Sequence, residues 1–513
     1  MAVAEFTPES GSRAFERVTV IAMVAGAAIY AAVALSVFAG MKSPFVGMDL
    51  YDELWLAITA GRLDLPARVL TAEGHYRPDG TGYLYHGIAP LLSRLALSPF
   101  IDIGTVSLAP VSIWFWAVAG TLAWHGAFAR VAAANWTHGH ATRDMVWSAL
   151  LGALLWLGGP GLLLVSNFSL YHEPIAVAFA LVGCTAFVWT GFAADRFPTR
   201  RALVLLALFA AVSVHARPNV AIGLYAAALA AVALHLRAGR RRAIPGAAAG
   251  LAILLAGGLG YLALNEARFG DAGTTHGSFE EGGAQYGFVF WGLEAEDSIR
   301  AKAFIEHGRF NVRRVPANAM LYVAPPPAAL APRLYGAFSD LHGAMTAARG
   351  DYARIERPAS GAVWFWTGFA ALAALGVASW RAALPYAGLI GGVALAAGIT
   401  LAYPTITLRY QIDLWPSLAA LALVGCGRVA RTVSGSDDGA GPRRIAIALC
   451  GLGIALNAAM AVQNTAIHVV FRGSSLAPWT DDQCRAFAAR KGFDAARTDE
   501  ICRPPRTGAH RGS

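Results

Sequence analysis

Long apolar runs, separated by short arginine-bearing segments, make up most of this chain. A helix needs about 20 mostly apolar residues to cross a bilayer. The first such run is 18–40, with no charge inside it. It is too long and too uniform for a cleaved leader. Further runs follow at 105–129, 146–165, 174–194, 202–216, 218–236, 244–264, 361–380, 382–403, 410–427 and 445–466. The pattern predicts an all-α polytopic membrane protein of about 11 transmembrane helices. The run 202–216 is short and ends at His215 and Arg217. No period of 20–50 residues recurs, which excludes a repeat array.

The polar segments orient these runs, because cytoplasmic loops collect Lys and Arg. With the N-terminus inside, cytoplasmic loops hold Arg130 and Arg143, then Arg196, Arg200 and Arg201. The next hold Arg237, Arg240, Arg241 and Arg242, then Arg381, then Arg428, Arg431, Arg443 and Arg444. The short outer connections 166–173, 215–219 and 404–409 hold only Arg217 and Arg409. Two long loops, 41–104 and 265–360, then fall outside. The expected organisation is one transmembrane domain, 1–466, and an extracytoplasmic C-terminal tail, 467–513.

Composition agrees with this reading. Of 513 residues, 56% are hydrophobic and 14% charged, against about 25% charged in a soluble domain. Too few polar residues exist to cover several soluble domains, and disordered or disulfide-framework classes are excluded likewise. The net charge of +9 does not imply a nucleic-acid partner. By this topology 16 of the 41 Lys and Arg lie inside and 25 outside, mostly in the long segments. Heavy use of Ala, Gly and Arg points to a bacterial source with a GC-rich genome. Cys184, Cys426 and Cys450 fall within spans, where a thiol is usually a packing residue. Cys484 and Cys502 share the outer tail, and in an oxidising compartment they could pair. No spacing resembles a zinc site.

Ionisable groups gather at the outer ends of the spans. The first outer loop reads Asp49-Leu-Tyr-Asp52-Glu53, and Tyr51, Leu54, Trp55 and Ile58 recur at i, i+3, i+4 and i+7. This predicts an interfacial amphipathic helix. A partly desolvated carboxylate there can serve as a general base; alternatively Asp49 only caps the helix. Tyr171-His172-Glu173-Pro174 opens another span, where Glu173 either faces the site or favours the helix dipole. His215-Ala-Arg217-Pro218 and Arg409-Tyr410-Gln-Ile-Asp413 supply two arginines. Such forks suit phosphate. Interfacial snorkelling, or an i, i+4 ion pair of Arg409 with Asp413, is the competing reading. In 265–360, the stretch His276-Gly-Ser-Phe-Glu280-Glu281-Gly-Gly reads as a flexible loop. The stretch 310–322, with Arg313 and Arg314, reads as an interfacial helix with basic anchors, or as a grip on lipid phosphate.

Taken in order, these motifs resemble the GT-C superfamily of polytopic glycosyltransferases, which use polyprenyl-phosphate sugar donors. Asp49, followed by Ala57, Gly61 and Leu63, resembles the superfamily's first-loop signature. Tyr83-Leu-Tyr85-His86-Gly87-Ile-Ala-Pro90 is similar to its aromatic–Gly–Pro stretch, and Tyr171-His172-Glu173-Pro174 to its second acidic motif. Asn265-Glu-Ala-Arg268-Phe269-Gly270 resembles a stretch of bacterial members. Arg409-Tyr410, with Asp413 and Pro416, resembles the Arg-Tyr motif near the donor phosphate. The likeness runs over roughly 13–465. The chain departs from the pattern in carrying Asp49-Leu rather than Asp-Glu, with Asp52-Glu53 one turn on, and it lacks sugar-specific motifs.

The resemblance implies inverting transfer to an extracytoplasmic glycan or glycolipid acceptor at a bacterial inner membrane. Asp49 would take the acceptor proton. Arg409 and Arg217 would stabilise the leaving polyprenyl phosphate, and Tyr410 would add a hydrogen bond. His172 and Glu173 would orient acceptor or sugar. Asp52, Glu53, Tyr85, His86 and Arg268 complete the expected binding residues. No cofactor is required, although Asp49 and Glu173 could hold a weak Mg²⁺ or Mn²⁺. The alternatives are a lipid-linked sugar flippase or transporter and an outer-face polysaccharide polymerase or ligase. Charges deep within the spans, which a flippase would need, are nearly absent.

Overall fold

The computed structural model describes residues 10–41, 45–136, 141–194, 196–237, 244–280, 282–356, 360–434, 440–470 and 477–507. Arg240, Arg241, Arg242 and Glu281 lie outside them. Helix dominates. Among the described residues, seven helices are long and apolar enough to cross a membrane: Arg13–Gly40, His172–Ala193, Pro218–Arg237, Ile244–Phe269, Trp380–Leu401, Leu408–Val433 and Gly441–Ala466.

The other four expected runs are also helical, but each departs from an ideal span. Ala109–Asn135 has the length, yet Trp114, Trp116, Trp124 and His125 dilute its hydropathy. Thr199–Val214 has 16 residues, about 24 Å of helix against a hydrocarbon core of about 30 Å. The run 146–165 breaks into Ala141–Trp156 and Gly161–Val165 around Gly158-Gly159-Pro160. The run 361–380 breaks into Ala362–Phe365 and Thr367–Val377. The first break is held from another helix: Asn457 Nδ2 donates to Leu157 O at 2.8 Å and Gly159 O at 2.9 Å. Carbonyls freed by a helix break in an apolar layer need such a donor.

His172–Ala193 is the central helix, buried along almost its whole length. Arg13–Gly40 and Ile244–Phe269 are peripheral and mostly exposed, as lipid-facing helices are. Small residues let the helices meet closely. A Cβ on Gly425 would collide with the backbone of Leu372, and one on Gly223 with that of Gly392. Larger rings fill the centre, where Trp415 packs against Trp124 at 5.1 Å and Phe369 at 5.0 Å between ring centres.

Among the described residues, five two-residue strands qualify the all-α expectation, and all belong to the expected outer segments. β1 (His75–Tyr76) pairs antiparallel with β2 (Gly82–Tyr83) and with β3 (Gln285–Tyr286), tying the first long loop to the second. β4 (Arg354–Ile355) pairs parallel with β5 (Thr405–Ile406), tying the second long loop to the start of Leu408–Ser434. The 310–322 segment forms a short 3-10 turn and the helix Val315–Val323. Arg314 is not a surface anchor. It is buried and holds Asp351 through two hydrogen bonds of 2.7 and 2.8 Å.

The C-terminal tail does not stand apart. Its helices Asp481–Arg490 and Ala495–Ile501 are joined by a Cys484–Cys502 disulfide. Trp479, Ala488 and Ile501 pack into one apolar cluster with Leu50, Leu54 and Leu70 of the first outer loop. Arg503 pairs with Asp64 at 2.5 Å, and Arg497 with Asp79 at 3.2 Å.

Candidate functional site

Two adjacent groupings occupy this end of the bundle: a sealed cluster of carboxylates around Arg94, and an open aromatic cavity around Arg409. The sealed cluster begins with the helix Leu50–Thr59. Its Asp52 and the Glu173 of His172–Ala193 are both bound by one guanidinium, that of Arg94. Arg94 Nε donates to Asp52 at 2.9 Å, and its two terminal nitrogens donate to the two Glu173 oxygens. All three side chains are buried. Asp52 also accepts from the Leu108 amide at 3.2 Å, at the start of Ala109–Asn135, where the helix dipole favours a negative charge. Burial pushes the Asp52 carboxyl up to about 7, partly offset by Arg94 and reinforced by Glu173 and Asp49.

Asp49 stands beside this cluster. It is buried and takes the N-cap position of Leu50–Thr59, but its side chain makes no capping hydrogen bond. Glu53 points elsewhere, its Oε1 accepting from Thr507 N at 2.6 Å and Thr507 Oγ1 at 2.7 Å. Asp52, Glu53 and Glu173 were expected to meet substrate. Both oxygens of Asp52 and of Glu173, and Oε1 of Glu53, accept from protein donors. Both Glu173 oxygens, one half of the weak metal site expected with Asp49, accept from Arg94. Among the described residues no group of three or more His, Cys, Asp or Glu is arranged to hold a metal ion.

The cavity has a volume of about 440 Å³. Aromatic rings form its walls, among them Tyr85, Tyr171, Tyr286, Phe288, Tyr403 and Tyr410. Arg300, Arg354 and Arg409 supply cations, and Glu73 and Glu356 supply carboxylates. Arg409 lies over the Tyr171 ring at 4.1 Å and near Tyr410 at 5.4 Å. Its Nη1 reaches Glu356 at 3.1 Å. The i, i+4 pair with Asp413 does not form, because Asp413 is taken by Arg217. Arg409 Nε is buried with no acceptor among the described residues, so it keeps a donor in reserve. His276 also lines the cavity, and burial holds its imidazole well below the ordinary range and therefore neutral.

Around this cavity, two expected binding residues act as braces. Arg217 binds Asp413 and lies 5.2 Å from the Tyr410 ring centre, so it backs the Arg409-Tyr410 segment from behind. Arg268 donates to Leu84 O at 2.7 Å, His86 O at 2.9 Å and Asn265 Oδ1 at 2.9 Å. The Asn265-x-x-Arg268 motif thus clamps the backbone of the Tyr83–His86 stretch. That clamp presents Tyr85 to the cavity, with the His86 ring tilted against it at 3.9 Å between ring centres.

No protein-family model, curated protein or solved structure matches the chain. Of the expected site residues, Tyr85, His172, Arg409 and Tyr410 line the cavity. Asp49, Asp52, Glu53, His86, Glu173, Arg217 and Arg268 are not among its lining residues. The sequence reading missed Glu73, Arg300, Arg354 and Glu356. Glu73-Gly74 reads only as a turn, and the other three sit in a loop with no periodic signal.

Proposed function

We propose that this cavity is the transfer site of an integral-membrane glycosyltransferase. The enzyme moves a sugar from a polyprenyl-phosphate donor to an extracytoplasmic glycan or lipid acceptor. The observation that carries the reading is the cavity itself: arginines and carboxylates set among tyrosine and phenylalanine rings, at the mouth of an apolar bundle. Aromatic faces suit the apolar faces of a sugar ring and the first isoprene units. A guanidinium fixed between tyrosine rings, with a free N–H, suits a phosphate leaving group. Preorganised cations in a partly dry site stabilise the charge that develops as the glycosidic bond breaks. The Cys484–Cys502 disulfide suits an oxidising compartment, which supports an outer-face location. A bacterial inner membrane, with the N-terminus cytoplasmic, completes the reading.

Two of the earlier assignments are refined. Arg409 is the phosphate partner, and Arg217 serves it indirectly by occupying Asp413. Asp49 is the carboxylate to which the GT-C resemblance assigns the acceptor proton.

The test is purified protein in lipid nanodiscs, incubated with a panel of radiolabelled polyprenyl-phosphate hexoses and pentoses. Release of polyprenyl phosphate with sugar transferred to acceptor is the expected result. Arg409→Ala should weaken polyprenyl phosphate binding by at least tenfold, followed by tryptophan fluorescence, whereas Arg409→Lys should recover part of it. Wild-type protein that neither binds polyprenyl phosphate nor transfers any sugar overturns the reading.

A further inference from the structure

Glu73 lines the cavity, although its local sequence carries no signal of that placement. It ends a 3-10 turn, Thr71–Glu73, that leads into β1. Thr71 has φ 52° and ψ −142°, and it is the one residue other than glycine with positive φ among the described residues. A β-branched residue adopts such a backbone only where its surroundings force it. Here they do. Tyr76 Oη donates to Thr71 O at 2.6 Å, and Gly287 N donates to Gly74 O at 2.9 Å. A Cβ on Gly287 would press on Ala72 O and Gly74 O, so the second long loop closes directly over this turn. The backbone on both sides of Glu73 is therefore pinned, and its side chain is turned into the cavity.

The two cavity carboxylates differ in their company. Glu356 is held by Arg409 at 3.1 Å and Arg354 at 3.6 Å. Glu73 has the Tyr171 hydroxyl as its polar neighbour, with Arg409, Arg300 and Glu356 farther out. Tyr171 is also the ring beneath Arg409, so Glu73 and the proposed phosphate partner share one side chain.

We propose that Glu73, rather than Asp49, is the general base that takes the proton from the acceptor hydroxyl. The proposal rests on the cavity being the transfer site. In the step, the acceptor O–H gives its proton to the Glu73 carboxylate while its oxygen bonds to the anomeric carbon. The bond from that carbon to the donor phosphate oxygen breaks, and the electron pair leaves with polyprenyl phosphate, whose charge rises from −1 to −2 beside Arg409. Burial raises the Glu73 carboxyl from its ordinary value, with the Tyr171 hydroxyl and Arg409 opposing and Glu356 reinforcing the shift. The base works ionised, so transfer should rise with pH through an acid limb lying above the usual carboxylate range.

The experiment compares wild type with Glu73→Gln, Glu73→Asp and Asp49→Asn in nanodiscs. Polyprenyl phosphate binding, melting temperature and transfer across pH are measured for each. Glu73→Gln should bind polyprenyl phosphate within about threefold of wild type and lose transfer by about 10²–10⁴-fold. Its residual rate should lack the acid limb, and Glu73→Asp should restore part of both. Transfer by Glu73→Gln near the wild-type rate with the acid limb intact overturns the assignment, and so does binding lost in step with transfer. Loss of transfer in Asp49→Asn alone returns the base to Asp49. A wild type that binds no polyprenyl phosphate and transfers no sugar overturns the cavity reading and this proposal together.

Discussion

Arg94 bridges two buried acidic side chains, Asp52 and Glu173. Removing one partner of a buried pair leaves an uncompensated charge, at a cost of about 3–5 kcal/mol. Arg94→Ala should therefore lower stability by about that amount, read as a fall in the thermal unfolding temperature in detergent. Asp52 makes a separate prediction. Its folded value of about 7 lies above its ordinary 3.8, so the folded form keeps a proton that the unfolded form has already lost between those values. Stability should then fall as pH rises from about 4 to about 7 and level off beyond. Asp52→Asn has no such proton and should flatten that slope in unfolding scans. An unchanged slope would assign the dependence to another group. Asp52 and Glu173 are conspicuous in the sequence as acidic groups beside predicted spans, but their shared partner is not. Arg94 sits in the short helix Leu91–Leu97, and nothing in that helix announces that it reaches across to Glu173.

Helices were legible wherever the apolar pattern was long and even. They were least legible where a polar side chain on a distant helix takes over the hydrogen bonding. The break at 157–160 is signalled by Gly158-Gly159-Pro160, but Asn457, which completes it, lies 300 residues from Leu157. The strands were not legible at all, because a pair of residues has no period to detect. The tail illustrates the same limit. Its capping box at Thr480 and Gln483 is a local signal, while its docking against Trp291 and Leu54 is not. The Cys484–Cys502 bond closes two short helices whose sequence separation is 18. Cys484→Ser with Cys502→Ser should weaken the tail by about 2–4 kcal/mol. Limited proteolysis should then cut within 477–507 before it cuts the membrane helices, and equal resistance would show that docking alone holds the tail.

At the scale of the whole molecule, motifs scattered from Asp49 to Asp413 were expected on one face of the membrane, and the structure brings Tyr85, His172, Arg409 and Tyr410 around one cavity. The pattern could not say which of them would be left open to a ligand. Opposite charges that share a face pair off first, so Asp52, Glu173, Arg217 and Asp413 were consumed in bracing. The cavity joins Arg409 and Tyr410 to Glu73, Arg300, Arg354 and Glu356 drawn from the long loops, where folding distance rather than local pattern decides position. Tyr85 shows the intermediate case: its motif was visible, and its clamp by Arg268 became visible only with both loops in place.

The tail fold that covers the first outer loop also bears on how such a chain is made. Thr507 reaches Glu53 across 454 residues of sequence. The loop that carries Glu73 leaves the ribosome early, together with the first helix, yet one of its carboxylates gains its backbone donor only after every later span has been inserted. Until then the loop lacks the Thr507 donor to Glu53 and the packing of Trp479, Ala488 and Ile501 on its apolar cluster. A half-made molecule would thus hold the pieces of its cavity without the clasp that steadies them, so competence should arrive late and all at once, with the oxidation and docking of 477–507.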